Sequence, residues 1–305
     1  MTTSSHISTD EFEQYRPLLF SIAYRMLGNA SEVEDMLQTA YLRYRSTDAS
    51  EILVLKTYLC TIVTRLCLDY LKSARVQREQ YIGPWLPEPI LTTEPDISPF
   101  ETAAQHESIS FAFLVLLEAL TPPERAAFLL HEVFDFEYGE IAEIIGKSPA
   151  NCRQLCHRTK EAVAERRRRF EPSPETQLLL VNRFLLACQE GDFQGLKDVL
   201  AQDVTNWGDG GGKAVAARRP IIGVDAVMRF WLGLARKPPA DLLLTFEDVY
   251  GSPAALIWTG DSLYAVITFE VDDSQIRAIR GVLNPDKLVY IRRQLGARQR
   301  AVSQM

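Results

Sequence analysis

Long apolar runs, cysteine and histidine are all scarce in this sequence, and each scarcity argues against a class of protein. No stretch approaches the roughly 20 apolar residues that a membrane-spanning helix needs, and the start, MTTSSHISTDEFEQ, has no basic flank followed by an apolar core. That pattern predicts a cytoplasmic protein with no membrane attachment. The five cysteines, Cys60, Cys67, Cys152, Cys156 and Cys188, are scattered and odd in number, which argues against a disulfide framework and for reduced thiols. Cys60 and Cys67 are seven apart, on one face of a helix. Cys152 and Cys156 are one turn apart with His157 beside them but no further ligand at zinc spacing, so both pairs read as core packing and no metal is expected. His131 and His157 each stand alone and no histidine follows His157, so neither is assigned a catalytic role.

What is present suffices for more than one core. The chain has 305 residues, 47% of them hydrophobic and 24% charged, the composition of an ordinary globular protein. A net charge of −7 argues superficially against a nucleic-acid partner. The charges are segregated, however: acids cluster at Asp10, Glu11, Glu13, Glu32, Glu34 and Asp35, whereas Lys147, Arg153, Arg158, Lys160 and the run Arg166 to Arg169 make one later stretch strongly basic.

Apolar residues recur at helical spacing from Asp10 to about Arg78 (Phe12, Tyr15, Leu19, Ile22, then Val33, Leu37, Ala40, then Leu55, Leu59, Ile62, Leu66), which predicts a helical bundle over 10–78. The proline-rich stretch within 79–106 has no period and reads as an extended linker. A second helical domain is expected over 107–170. The pattern then breaks at EPSPET, and a third unit over 176–295 opens with two helices, 176–189 and 193–200. A lone helix at 224–235 and strand-like runs follow (DLLLTFEDVY, AALIWTG, SLYAVITFEV, QIRAIRGVL), which predict an antiparallel meander and hence an α+β unit.

The sharpest local signal is Tyr138 to Pro149. A short helix with Ile141, Ala142 and Ile145 inward ends at Gly146, and Ser148 with Pro149 starts another, a helix-turn-helix. Its second helix displays Asn151, Arg153, Gln154, His157 and Arg158, with Leu155, Cys152 and Cys156 expected inward. Arg, Asn and Gln side chains can pair with base edges in the major groove, and Arg166 to Arg169 suit phosphates. The alternative is an αα-hairpin with a solvated charged face; the turn chemistry and the lack of acids before Glu161 favour DNA.

The stretch LTPPERAAFLLHEVFDFEYGEIAEIIGKSPANCRQLCHRTKEA (Leu120–Ala162) resembles region 4 of extracytoplasmic-function (ECF) RNA polymerase sigma factors. The stretch Phe12–Tyr44 followed by Lys56–Arg75 is similar to their region 2. The resemblance implies that Glu34, Asp35 and Gln38 grip the β′ clamp helices of core RNA polymerase, a surface that by pattern alone is a solvated helix face. It implies that Tyr58, Arg65, Asp69, Lys72 and Arg75 lie on the helix that melts and reads the promoter −10 element, with Tyr58 where Trp is common and Arg65 where Asn is common. Ser148, Asn151, Arg153, Gln154, His157 and Arg158 would read the −35 element, and Leu117, Leu120, Phe128 and Leu129 would partly face the β flap.

Three further motifs, WLPEP (Trp85, Leu86, Pro87, Glu88, Pro89), DGGGK (Asp209, Gly210, Gly211, Gly212, Lys213) and NPDKL (Asn284, Pro285, Asp286, Lys287, Leu288), resemble signatures of the ECF41 group, whose members carry a SnoaL-like, NTF2-type extension. The implied architecture is multidomain, two all-α domains plus a C-terminal α+β NTF2-like cone. The extension itself, rather than a dedicated membrane anti-sigma factor, is then the expected regulator. WLPEP has the stiffness and the single large aromatic of an anchor peptide, expected to pack near DGGGK; by spacing alone DGGGK reads as a turn loop.

Cones of this type often hold a pocket, for which Trp207, Asp209, Arg218 and Tyr250 are candidates, so a small-molecule effector stays open. With no histidine and no second motif-placed carboxylate, catalysis is not expected, nor is a cofactor. The competing readings are a stand-alone helix-turn-helix regulator with a ligand-sensing domain and an isomerase- or cyclase-type enzyme fused to a DNA-binding domain.

Overall fold

The computed structural model describes residues 9–48, 50, 52–92, 110–167, 173–238, 241–272 and 274–303. Residues 93–106 of the expected linker, together with Arg168 and Arg169, lie outside the described residues, as do the side chains of Arg75, Arg166 and Arg167. The chain divides into two compact units, one comprising Met1–Glu79 and Thr93–Arg166, the other Gln80–Thr92 and Arg167–Met305.

The first unit is all-helical. Helices α1 (Thr9–Leu27), α2 (Ala30–Ser46) and α3 (Leu55–Glu79) form a bundle whose seam is Leu19, Ile22, Ala23 and Met26 against Val33, Leu37 and Ala40 and against Leu59, Val63 and Cys67, all buried. Asn29 starts α2 by accepting the Glu32 amide at 3.0 Å, satisfying one of the free amides of a helix start. Helices α4 (Phe111–Glu118), α5 (Pro122–Glu132), α6 (Tyr138–Ile145) and α7 (Pro149–Arg167) follow. Reciprocal capping boxes start α5 (Thr121 with Glu124) and α6 (Glu137 with Glu140). Gly146 ends α6 at φ +68°, a conformation that costs glycine little, and turns the chain into α7.

Two inward assignments shift. On α6 Ile144 is buried and Ile145 only half-buried, because α6 also packs on α3 and so needs a second apolar side. On α7 the buried stripe is Cys152, Cys156, Thr159 and Val163, one helical row, with Leu155 at its half-buried edge.

The second unit is α+β, as expected. Helices α8 (Pro174–Glu190) and α9 (Phe193–Val199) precede strands β1 (Leu200–Asp209) and β2 (Ile221–Ile222). Helix α10 (Val224–Ala235) then leads into β3 (Leu242–Val249), β4 (Ser252–Thr259), β5 (Ser262–Val271) and β6 (Ile276–Val282). A 3-10 turn, Pro285–Leu288, and helix α11 (Val289–Ser303) close the unit. The sheet order is β2-β1-β6-β5-β4-β3.

It is not a pure meander. Strand β1 pairs parallel with β6, setting Trp207 against Arg280 and Asp209 against Val282. The sequence hides β1 because polar Asn206 and Asp209 take inward positions where a strand pattern needs apolar ones. One face of the sheet (Ala255, Ile267, Phe269, Ile279) packs under Phe184, Val227 and Met228 of the helices. Leu256 and Val266 alternate to the other face, yet are also buried. Helix α11 lies there, with Arg298 paired to Glu247 at 2.7 Å and Arg292 bonded to the Leu263 carbonyl.

Candidate functional site

Of the residues singled out by sequence, the structure gathers WLPEP, DGGGK and NPDKL around one buried ion pair inside the second unit. Asp209, at the end of β1, is 0% exposed, and Lys287, in the 3-10 turn after β6, is 6% exposed. The parallel pairing of β1 with β6 brings them together: the Asp209 carbonyl accepts the amides of Leu283 (2.8 Å) and Asn284 (2.9 Å), which sets the turn against the strand end. The Lys287 ammonium then donates to the Asp209 carboxylate at 2.7 Å and to the Leu86 carbonyl at 2.5 Å. The carboxylate also accepts the Leu86 amide (2.8 Å) and the Tyr81 hydroxyl (2.5 Å). Both backbone groups of Leu86 are thus held by the two members of the pair.

Aromatic rings close the node. Lys287 lies 4.0 Å from the Trp85 ring centroid and 4.9 Å from that of Tyr81, so the cation has a carboxylate, a carbonyl and two π faces around it. The Asn284 amide donates to the Tyr81 oxygen at 2.9 Å. Burial and the adjacent Asp209 carboxylate push the Tyr81 phenol above its ordinary range, keeping it a donor. Gly211 sits at φ +56°, where an added Cβ would fall 2.2 Å from the Asn284 amide nitrogen, so the glycine is required by close approach. Lys213 pairs with Asp286 at 2.5 Å on the outside, joining the other two motifs in the open.

Beyond Leu86 the peptide continues as a docked strip. The Tyr250 hydroxyl donates to the Pro87 carbonyl at 2.7 Å, Leu91 bridges Val249, and Gln294 holds the Leu91 amide at 2.8 Å. Pro87, Glu88, Pro89, Ile90 and Leu91 are all buried. Two of the pocket candidates are therefore corrected: Asp209 and Tyr250 are sealed under this strip. Trp207 stacks under Arg280 at 5.0 Å. Arg218 does line a cleft, of about 370 Å³, with Ile82, Gly83 and the 208–217 segment. Sequence reasoning missed Tyr81, Thr92 and Gln294; Tyr81, four residues before Trp85 in a segment without period, gave no signal.

In the first unit the DNA-reading candidates lie on α3 and α7. Tyr58 bonds Thr47 at 2.6 Å, and Asp69 pairs with Lys72 at 2.7 Å on an exposed face, which holds the Asp69 carboxyl below its usual range. Arg65 instead reaches the helix-turn-helix: its Nε donates to the Ile144 carbonyl (3.0 Å) and its Nη2 to the Glu143 carbonyl (2.7 Å). On α7, Ser148 caps the helix through the Asn151 amide at 3.2 Å, and Gln154 is exposed. His157 faces Glu161 at 3.6 Å, Arg153 stacks on Tyr138, and Arg158 pairs with Glu124 at 2.5 Å. On α2, Asp35 and Gln38 are exposed while Glu34 is paired with Arg16. Leu117, Phe128 and Leu129 are buried and Leu120 is half-buried. Among the described residues no cluster of three His, Cys, Asp or Glu side chains could hold a metal ion, and no helix is long and apolar enough to cross a membrane.

Comparison with known proteins decides the family. Sigma-70 region 2 matches residues 12–76, and sigma-70 region 4 matches residues 110–163. The chain is 36% identical over 291 residues to the ECF RNA polymerase sigma factor SigJ of Mycobacterium tuberculosis, covering 92% of this chain and 93% of that protein. The chain belongs to the ECF RNA polymerase sigma factors. A probable ECF sigma factor of the same organism, SigI, is 31% identical and covers 92% of this chain and 95% of its own length. The crystal structure of SigJ superposes with a TM-score of 0.73 at 31% identity, covering 93% of this chain and 99% of that one. As a sigma factor, the protein binds core RNA polymerase and directs promoter recognition.

Proposed function

We propose that this sigma factor reads the −10 element with α3 (Tyr58, Arg65, Asp69, Lys72, Arg75) and the −35 element with α7 (Ser148, Asn151, Arg153, Gln154, His157, Arg158), and that its C-terminal cone sets promoter output by holding the connector between them. The acidic face of α2 with Glu34, Asp35 and Gln38 meets the β′ clamp helices, and region 4 meets the β flap. The protein acts in the cytoplasm, without catalysis of its own: the acid–base candidates of the second unit, Asp209 and Lys287, are buried against each other and against the docked peptide.

The observation that carries the regulatory role is that node. Helix α3 ends at Glu79 and α4 begins at Phe111, so the two DNA-reading parts are joined by residues 80–110. With residues 80–92 held by Asp209, Lys287, Tyr250 and Gln294, only 93–110 remain to span between them, roughly 60 Å when fully extended. The cone thereby limits the separations the two readers can adopt. The test is transcription with core polymerase on a promoter fragment, comparing the full chain, a chain truncated after Arg169, and Trp85→Ala. Both variants should change output; unchanged output from both would sink the regulatory reading. A ligand entering the cleft beside Ile82 and Arg218 would act on the same connector.

A further inference from the structure

The cleft beside the node has a composition of its own. Its volume of about 370 Å³ lies at the small end of the roughly 300–1,000 Å³ range of small-molecule sites. It is lined by Ile82 and Gly83 of the docked connector and by the 208–218 segment, from which three glycines and three alanines face it. Backbone and methyl groups therefore make up most of its surface. No carboxylate and no aromatic ring lies among the lining residues, and the charged ones are both cations, Lys213 and Arg218.

The two cations differ. Lys213 is neutralised by Asp286, whereas Arg218 is exposed and pairs with no carboxylate among the described residues. Arg219, next to it, is exposed and unpaired in the same sense. The carboxylate nearest in sequence to the lining, Asp209, is fully buried and paired with Lys287. The cleft thus carries an excess of positive charge, with a guanidinium whose planar fork of donors matches a carboxylate or a phosphate. Connector and loop touch at two places: an added Cβ at Gly83 would lie 3.9 Å from the Arg218 Cα, and one at Gly212 2.9 Å from the Ile82 Cδ1. Ile82 remains 53% exposed, which leaves an apolar surface for a ligand to cover.

We propose that this cleft takes a small aliphatic anion, a carboxylate or a phosphate monoester, with its charged group on Arg218 and its apolar body against Ile82 and the alanines, and that binding holds the connector docked. The inference rests on the reading of the C-terminal unit as the holder of the connector. Its physical basis is that the cleft is complete only while Ile82 and Gly83 lie against the 208–218 segment. Those two residues stand between Tyr81, bonded to Asp209, and Trp85, packed on Lys287. A ligand that touches both connector and loop has a higher affinity for the docked state than for the undocked one, and that difference shifts the equilibrium towards docking. A cation would meet Arg218 without a counter-charge, and a neutral ligand would leave the guanidinium unmatched.

The experiment titrates the full chain calorimetrically with hexanoate, hexyl phosphate, hexylamine and inorganic phosphate. One of the two hexyl anions should bind about tenfold or more tightly than hexylamine and inorganic phosphate, and which one does so identifies the head group. Arg218→Gln should weaken that binding about tenfold while leaving the urea midpoint of the ligand-free chain unchanged. Saturable binding of neither hexyl anion, or binding that Arg218→Gln leaves intact, would overturn the site; inorganic phosphate binding as tightly as hexyl phosphate would overturn the aliphatic part of the assignment. In transcription with core polymerase, the anion that binds should shift the output of the full chain in the direction opposite to Trp85→Ala and leave the chain truncated after Arg169 unaffected. An unchanged output, or a shift in the same direction as Trp85→Ala, would overturn the coupling to the connector. If truncation and Trp85→Ala themselves change nothing, the regulatory reading fails, and the titrations still decide the site.

Discussion

The molecule holds its connector and its helix-turn-helix by two junctions built from similar parts and sealed to different degrees. In the second unit a lysine grips a carbonyl and two aromatic rings with a fully buried aspartate behind it. In the first, arginines and a lysine grip carbonyls and rings, the Glu140 carboxylate accepts the Thr57 hydroxyl, and the Glu118 carboxylate lies 3.7 Å from Arg125. A buried pair left half-intact strands an uncompensated charge, whereas an exposed guanidinium released from carbonyls returns to water. The difference is one of burial: both members of the node's ion pair lie in the core of the second unit, whereas the junction in the first is exposed at Lys56 and Arg65 and buried at Arg25 and Arg125.

The comparison breaks most visibly at Asp209. Asp209→Ala should destabilise the second unit by about 3–5 kcal/mol by leaving Lys287 buried and unpaired, measured as a lowered urea midpoint of the full chain; Asp209→Leu with Lys287→Met should recover most of the loss. A loss under 1 kcal/mol would show the pair to be solvated and the contrast false. Next, Trp85→Ala should cost about 1–3 kcal/mol through lost ring area and the cation contact, read on the same transition.

Smaller effects sharpen the other side. Glu124 holds the Thr121 hydroxyl and amide as well as Arg158, and the hydroxyl bond, more than the guanidinium, keeps its carboxyl below the usual range. Its folded value is depressed, so its contribution is present above the ordinary carboxylate range and lost as pH falls through the folded value. Glu124→Gln should therefore cost about 1 kcal/mol at pH 7, with a difference from the parent that vanishes in acid, followed by urea unfolding across pH. Smallest of all, the five cysteines should not react with a thiol reagent in the native protein. All are buried, and burial pushes Cys60 and Cys188 up to about 12 and Cys156 up to about 11. Labelling only on denaturation is expected; rapid native labelling of Cys152 or Cys156 would mean that the α7 stripe opens readily.

Much of the first unit was legible because helical periodicity is local. Val33, Leu37 and Ala40 lie on one face by spacing alone, and the αL glycine at 146 marks the turn before the structure shows it. Ile144 was less legible, because its burial answers to a helix from elsewhere in the chain. The motif residues of the node were visible as motifs, and their meeting was expected between WLPEP and DGGGK. The sequence offered no reason for Tyr81 to join them and placed Tyr250 beside Asp209 only as pocket lining, since neither the parallel pairing of β1 with β6 nor the docked strip leaves a periodic trace.

The sequence by itself determined the helices, their caps, the helix-turn-helix and the family, because each depends on side chains within a few residues of one another. Only the tertiary structure decided that Asp209 and Lys287 face each other behind Leu86 and that Arg65 closes on Ile144. Those contacts join residues 78 and 79 positions apart, and the free energy that selects them comes from burial and charge pairing that exist only once the chain has folded.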